Sequence, residues 1–303
     1  MEVEVLDVTK EFNKVSILNG ISLKINDGDT SFIVGKNGAG KTTLIRIILN
    51  LYKSTSGKVL VDGVDVNSSE YVKVKESIGF LNDNIGLFKD FTAWDNIEFF
   101  HRIYFPNAKA SQRRSDIEKV LKRVDLYSNR NNKITFFSRG MRQRLAIARS
   151  IINNPNLLIL DEPSRGLDIE GKEMLKDIIE EYQKKNATIL INSHDLDDFQ
   201  DIATKIAFIK KGKIVYEGSY KDVKGEFGDN MYAIKVQNSS NIESKLERES
   251  FVDNIKKIDD ELIVSINTDV KELSDWLYNN SIKINELKQI NDNLSYLYKK
   301  ILS

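Results

Sequence analysis

The sequence predicts an α/β fold built on a parallel sheet, followed by a small C-terminal α+β domain of ferredoxin-like order. Continuous apolar runs such as "NLLIL" and "TILINS" suit parallel strands covered on both faces. They alternate with an amphipathic helix, "MLKDIIEEYQKK", and strand–helix–strand order builds a parallel sheet. After a polar, glycine-punctuated stretch the remaining residues read as strand, helix, strand, strand, helix, strand, the split arrangement of ferredoxin-like folds.

In chain order, "VEVLDV", "ISLKI" and "TSFIVG" are β-rich, and "KVLVDG" follows a helix, "TLIRIILNLY". From about Phe88 to Ile152 the texture is helical, with apolar residues spaced by three and four in "AWDNIEFFHRIYF" and "SDIEKVLKRV". "KIAFIKKGKIVYEG" reads as a hairpin turning at Lys211 and Gly212. "SYKDVKGEFGDN" reads as a linker, which divides the chain into a domain of residues 1–218 and a second of residues 219–303. The first strand of the second is "MYAIKV", and it closes on a helix, "NDNLSYLYKKIL".

Length and charge narrow the function. A chain of 303 residues suits one large domain or a large and a small one. With 45 basic and 45 acidic residues the net charge is zero, so nothing global draws the chain to nucleic acid or an anionic bilayer, and no nucleic-acid partner is expected. There is no cysteine, and two histidines are too few for a histidine-based zinc site. "MEVEVLDVTKEF" lacks the basic-then-apolar order of a secretory signal, and no apolar run is long enough to span a bilayer. The expectation is a soluble protein whose membrane role comes through a partner.

"GKNGAGKTT" lies directly after "SFIV" and directly before the helix. It satisfies G-x-x-x-x-G-K-[ST], in which Gly35, Gly38 and Gly40 let backbone N–H groups wrap phosphates, Lys41 meets the β/γ oxygens, and the Thr42 hydroxyl ligates magnesium beside Thr43. Asn37 either braces that loop or touches phosphate directly. "LLILDEP" supplies the second half of such a site: Asp161 can hold magnesium and Glu162 can orient or deprotonate the attacking water. The alternative is an acidic pair that caps the next element. His194, after "TILINS", emerges at the same sheet edge, where open α/β sheets bind ligands; it either senses the γ-phosphate or is structural. In "FFSRGMRQRLAIARS", Ser138 and Gly140 stand at a helix start, which is an anion site or a plain cap with solvated arginines.

Taken together, these ordered motifs resemble the nucleotide-binding subunit of an ATP-binding cassette (ABC) transporter over about the first 218 residues. The resemblance implies a P-loop NTPase core with an antiparallel β subdomain and a helical subdomain at about 88–152, with ATP and Mg2+ as cofactors. It implies that Gly35 to Thr43 bind ATP phosphates, that Asp161 and Glu162 serve magnesium and water, and that Lys41, Glu162 and His194 are catalytic. It assigns Phe12 to the adenine; read alone, Phe12 is an edge-of-core aromatic. "FSRGM" stands at the signature motif, so Ser138 and Gly140 would grip the γ-phosphate held by a second subunit, and the helix behind them would bury Met141, Leu145, Ala148 and Ile152. Asp168, ending "GLD", would communicate between subunits. Three positions depart from the family pattern: Arg139 replaces a glycine, Met141 replaces the glutamine that usually follows it, and Asp83 stands where a glutamine usually approaches magnesium and water.

The implied function is an ATPase that closes as a dimer around two ATP molecules and drives a multispanning permease from the cytoplasmic face of the membrane. Its partners are that permease and a second ATPase subunit, identical or homologous. The nearest resemblance is to stand-alone ATPases of bacterial exporters, with drug or antimicrobial or amphipathic peptide as the cargo class. Leu87, Phe88 and Phe91 are either permease contacts or core. The competing readings are a soluble ATPase acting on nucleic acid or ribosomes, and a regulatory nucleotide switch.

Overall fold

The computed structural model describes residues 1–83, 86–193, 202–219, 230–236, 242–258 and 261–290. The closing helix expected from Asn291, most of the linker stretch and His194 lie outside the described residues. The chain divides into two compact units, Met1–Glu217 and Gly218–Ser303.

The large unit holds two sheets. In the antiparallel one the order is β2 (Val15–Ile25), β1 (Val3–Phe12), β4 (Ser56–Val61), β5 (Val64–Asp65). Val3, Val5 and Val8 of β1 face inward, and the tight turn to β2 is made by Asn13 and Lys14, both with left-handed backbone at φ 48° and 68°. The other sheet runs β10 (Lys213–Ser219), β9 (Lys205–Lys210), β3 (Thr30–Val34), β8 (Thr188–Asn192), β7 (Leu157–Asp161), β6 (Ile78–Leu81). Its strands from β9 to β6 are parallel, and β3, β7 and β8 are buried at every residue, as continuous apolar runs require. The turn into β10 falls on Lys211 and Gly212, at φ 49° and 74°.

Helix α1 (Lys41–Ile48) lies in the core between the sheets. Its Leu44, Ile45, Ile47 and Ile48 join Val3, Val5 and Val59 of one sheet and Ile33, Ile159 and Leu190 of the other in a single cluster. Each such fully buried side chain contributes roughly 1.5–3 kcal/mol, so α1 and the loop before it are firmly fixed. Tyr71 of α2 (Tyr71–Lys75) reinforces this, donating its hydroxyl to the Ile48 carbonyl at 2.6 Å.

The helical part consists of α3 (Ala93–Tyr104), α4 (Ala110–Arg123) and α5 (Arg139–Ile151). Thr92 and Asp95 form a capping box at the start of α3. Helix α5 is buried beyond the expected single stripe, with Gln143, Leu145, Ala146, Ile147 and Ala148 all enclosed. Met141 is a correction: it is only half-buried, in the first turn of α5 beside the exposed Ser138 and Arg139. Helix α6 (Ile169–Lys184) follows β7 and precedes β8.

In the small unit the strand order is β12 (Val252–Ile258), β13 (Glu261–Ile266), β11 (Met231–Val236), β14 (Ile284–Gln289), and every neighbouring pair is antiparallel. With α7 (Ile242–Leu246) and α8 (Val270–Asn279) this is the ferredoxin-like order. Ile234, Leu246, Val264, Leu273 and Leu277 form its own core. No helix among the described residues is long and apolar enough to cross a membrane.

Candidate functional site

The loop after β3 passes flush against β9: a Cβ added to Gly35 would lie 2.5 Å from the Ile209 carbonyl oxygen. Gly40, at φ 107°, turns the chain into α1, so the first free N–H groups of the helix open toward the loop. Lys41 is buried, and its Nζ donates to the carbonyls of Gly35 at 2.6 Å and Lys36 at 3.3 Å. Burial lowers its pKa, against the opposing pull of Glu162 and Asp161.

Parallel register sets the acidic residues beside this loop, with Asp161 at the end of β7 paired with Asn192 at the end of β8. Asp161 is fully buried; one carboxylate oxygen accepts from Asn192 Nδ2, and Oδ2 has no hydrogen-bond partner among the described residues. Burial pushes its pKa up; Asn192 and the Thr42 hydroxyl counter this, while Asp83 and Glu162 add repulsion. Glu162 has left-handed backbone at φ 51°, and its N–H donates to the Asn192 carbonyl at 2.8 Å. That bend turns the residue out of the strand and into the cleft.

The cleft has a volume of about 760 Å3. It brings together Phe12, Asn37, Gly38, Gly40, Lys41, Thr42, Thr43, Asp83 and Glu162. Asp161 lies beneath it, buried, and Gly35 forms the turn behind the loop. Phe12, partly exposed, meets Tyr52 edge to face at 5.4 Å and has Lys10 Nζ 4.6 Å from its ring centre. Asp83 sits 3.6 Å from the Arg46 guanidinium. Ile17, Arg165 and Asn192 also line the cleft, and the sequence reading missed them. Asn192 was findable as a residue of this sheet edge, since it ends β8 two residues before His194, though not as the partner of Asp161.

Ser138, Gly140 and Asp168 are not among the residues lining this cleft. Ser138 caps α5, its hydroxyl accepting from the Met141 N–H at 3.2 Å, and Gly140 approaches the Gly166 carbonyl too closely to carry a side chain at ease. The Arg139 stem lies over Gly166, and Gln143 Nε2 donates to the Pro163 carbonyl at 2.9 Å. Asp168 caps α6, accepting from the Gly171 N–H at 2.8 Å. The serine turn, α5 and the loop after Glu162 are therefore one packed piece. Phe88 and Phe91 stand about 40% exposed in a ring cluster with Phe99, so they are surface rather than core.

Chemically the cleft suits a polyphosphate. It offers helix N–H groups, a lysine, and beneath them a carboxylate oxygen lacking a partner. Magnesium fits the same corner: it prefers oxygen donors and keeps waters and substrate phosphates among its ligands, and the Thr42 hydroxyl with Asp161 supplies a minimal oxygen pair. Among the described residues no three acidic or histidine side chains gather into a metal cage.

The model of the family described as "ABC transporter" matches residues 18–165. The chain is 34% identical over 210 residues to the ABC transporter ATP-binding protein NatA of Bacillus subtilis, covering 69% of this chain and 84% of that protein. It is 35% identical to the lantibiotic transport ATP-binding protein SrtF of Streptococcus pyogenes, covering 72% and 90%. The dimeric post-hydrolysis structure of the ATP-binding cassette MJ0796, bound to ADP and Pi, superposes with a TM-score of 0.67 at 28% identity, covering 72% of this chain and 98% of that one. The chain belongs to the family of ABC transporter ATP-binding proteins. It is an ATPase of the kind that powers transport across membranes.

Proposed function

We propose that this chain binds ATP in the cleft above β3 and β7, pairs with a second ATPase subunit, and drives a separate multispanning permease from the cytoplasmic face of the membrane. The observation that carries the reading is the convergence of Lys41, Thr42, Asp161 and Glu162 on one cleft through the β3, β8, β7 order. The loop N–H groups of Gly38 to Thr43 and Lys41 hold the phosphates, and Phe12 stacks on the base. Thr42, Asp161 and Asp83 hold Mg2+, which when bound neutralises developing phosphate charge. Glu162 orients the water and accepts its proton, assistance typically worth about 10² to 10⁴ in rate. Ser138 and Gly140 seal the nucleotide held by the partner subunit, and Asp168 carries the state of one subunit to the other.

Export of an antimicrobial or amphipathic peptide, or of a drug, is the cargo class this reading favours, supported by the lantibiotic transport relative. The exposed Phe88 and Phe91, with Leu87, form the permease-facing patch. The Gly218–Ser303 unit serves dimer contact or regulation.

Glu162→Gln tests the whole: with ATP it should accumulate as a dimer in size-exclusion chromatography and release no phosphate. A variant that stayed monomeric with ATP, or that hydrolysed at the parent rate, would sink the reading.

A further inference from the structure

A second concave site lies between α3, α4 and the segment that follows α4, sharing no lining residue with the cleft above. Its volume of about 510 Å3 falls within the range of small-molecule sites. Trp94, Glu98 and Arg102 stand one turn apart on α3, Arg113 and Arg114 come from α4, and Arg130 closes the rim beside Tyr127. Four guanidinium groups thus surround one lining carboxylate.

That carboxylate is already engaged. Glu98 accepts from Arg102 at 2.9 and 2.6 Å and from the Trp94 indole at 3.1 Å. Arg113, Arg114 and Arg130 make no ion pair at contact distance among the described residues. Arg113 donates one Nη to the Ala108 carbonyl, and its buried Nε has no partner. Arg130 donates to the Tyr127 carbonyl at 2.9 Å and lies over that ring at 4.3 Å, which holds its fork in place. Glu118, the other carboxylate acting on Arg114, is committed to Lys122 at 2.7 Å.

Clustered like charges repel one another, and an unpaired buried N–H leaves a hydrogen bond unmade. A ligand with several anionic oxygens relieves both. Planar guanidinium forks fit phosphate in bidentate fashion, and the cleft has the volume of a small-molecule site. We propose that it binds a phosphate-bearing anion, free in solution or carried as a lipid headgroup, held by Arg113, Arg114 and Arg130 against the Trp94 ring.

Trp94 provides the readout, because the chain has only two tryptophans and Trp276 can be replaced. In full-length Lys41→Ala/Trp276→Phe protein, whose phosphate loop is crippled, inorganic tripolyphosphate should change Trp94 emission saturably. Adding Arg113→Gln and Arg130→Gln should weaken that binding at least about tenfold, since charge-assisted bidentate bonds are the strong ones. Circular dichroism melting verifies the fold; if the double variant unfolds, Arg114→Glu, on the exposed side of α4, takes its place. Co-sedimentation with phosphatidylcholine vesicles, with and without phosphatidic acid, separates the sources: binding only to the acidic vesicles, lost in the variants, assigns a headgroup, and saturation by tripolyphosphate alone assigns a free anion. No saturable response to either probe, or binding unaltered in folded variants, overturns the proposal.

Discussion

Arg144 donates to the Asp168 carboxylate at 3.0 Å, and through that ion pair the helix behind the serine turn is fastened to the first turn of α6. Arg144 also lies 3.6 Å from Asp125. Two pieces proposed to face the partner subunit therefore move together. Arg144 first, and the Gly171 N–H second, hold the Asp168 carboxyl below the usual carboxylate range.

Asp168 has two separable duties. Asparagine caps helices about as well as aspartate, whereas alanine forfeits the cap. Asp168→Asn should keep most of the thermal midpoint, and Asp168→Ala should melt about 2–4 °C lower. A depressed pKa contributes stability above the unfolded value, lost as pH falls through the folded one. The stability advantage of the parent over Asp168→Asn should thus vanish on acidification below about pH 4, as calorimetry across pH would register.

Asp161→Asn should do the reverse. A raised folded pKa means stability is favoured by acid and lost as pH rises above the unfolded value, so at neutral pH the ionised side chain works against the fold. Leaving such a group unsatisfied costs about 1–3 kcal/mol. The ligand-free variant should melt higher than the parent, by about 2–4 °C for each kcal/mol recovered, and should lose its magnesium-dependent phosphate release. A lower midpoint would show that Asp161 is a structural partner of Asn192.

Ser138→Asp separates the helix cap from the proposed grip on a partner's nucleotide. Aspartate caps as serine does, so the melting midpoint should hold. A negative charge aimed at γ-phosphate should cut turnover by about 10² or more, the scale of losing one transition-state donor. Unchanged steady-state phosphate release would leave Ser138 as a cap and nothing else.

Phe12→Ala should raise the KM for ATP and spare kcat. Stacking a base on an aromatic ring is worth about 1–3 kcal/mol, and an interaction felt equally by ground and transition states appears in KM alone. A fall in kcat with constant KM would instead place Phe12 in the packing around Tyr52.

The parallel strands were legible because β3, β7 and β8 are covered on both faces and so carry unbroken apolar runs. The glycine-rich loop before α1 was legible because close approach to Ile209 forces glycine at position 35. Partners set by strand order were not: nothing local marks Asn192 as the neighbour of Asp161 across β7 and β8, or Gln143 as donor to the Pro163 carbonyl. Met141 misled for a related reason, since helical spacing says which face a residue occupies and not whether another element extends far enough to cover it.

At Glu162 the chain stores backbone strain, since a left-handed φ of 51° is a conformation that glycine adopts without cost and glutamate does not. A glycine there would relax the bend and remove the carboxylate in one step. Selection for heat resistance alone would reward that change, steering the molecule toward a sturdier form that has fallen silent.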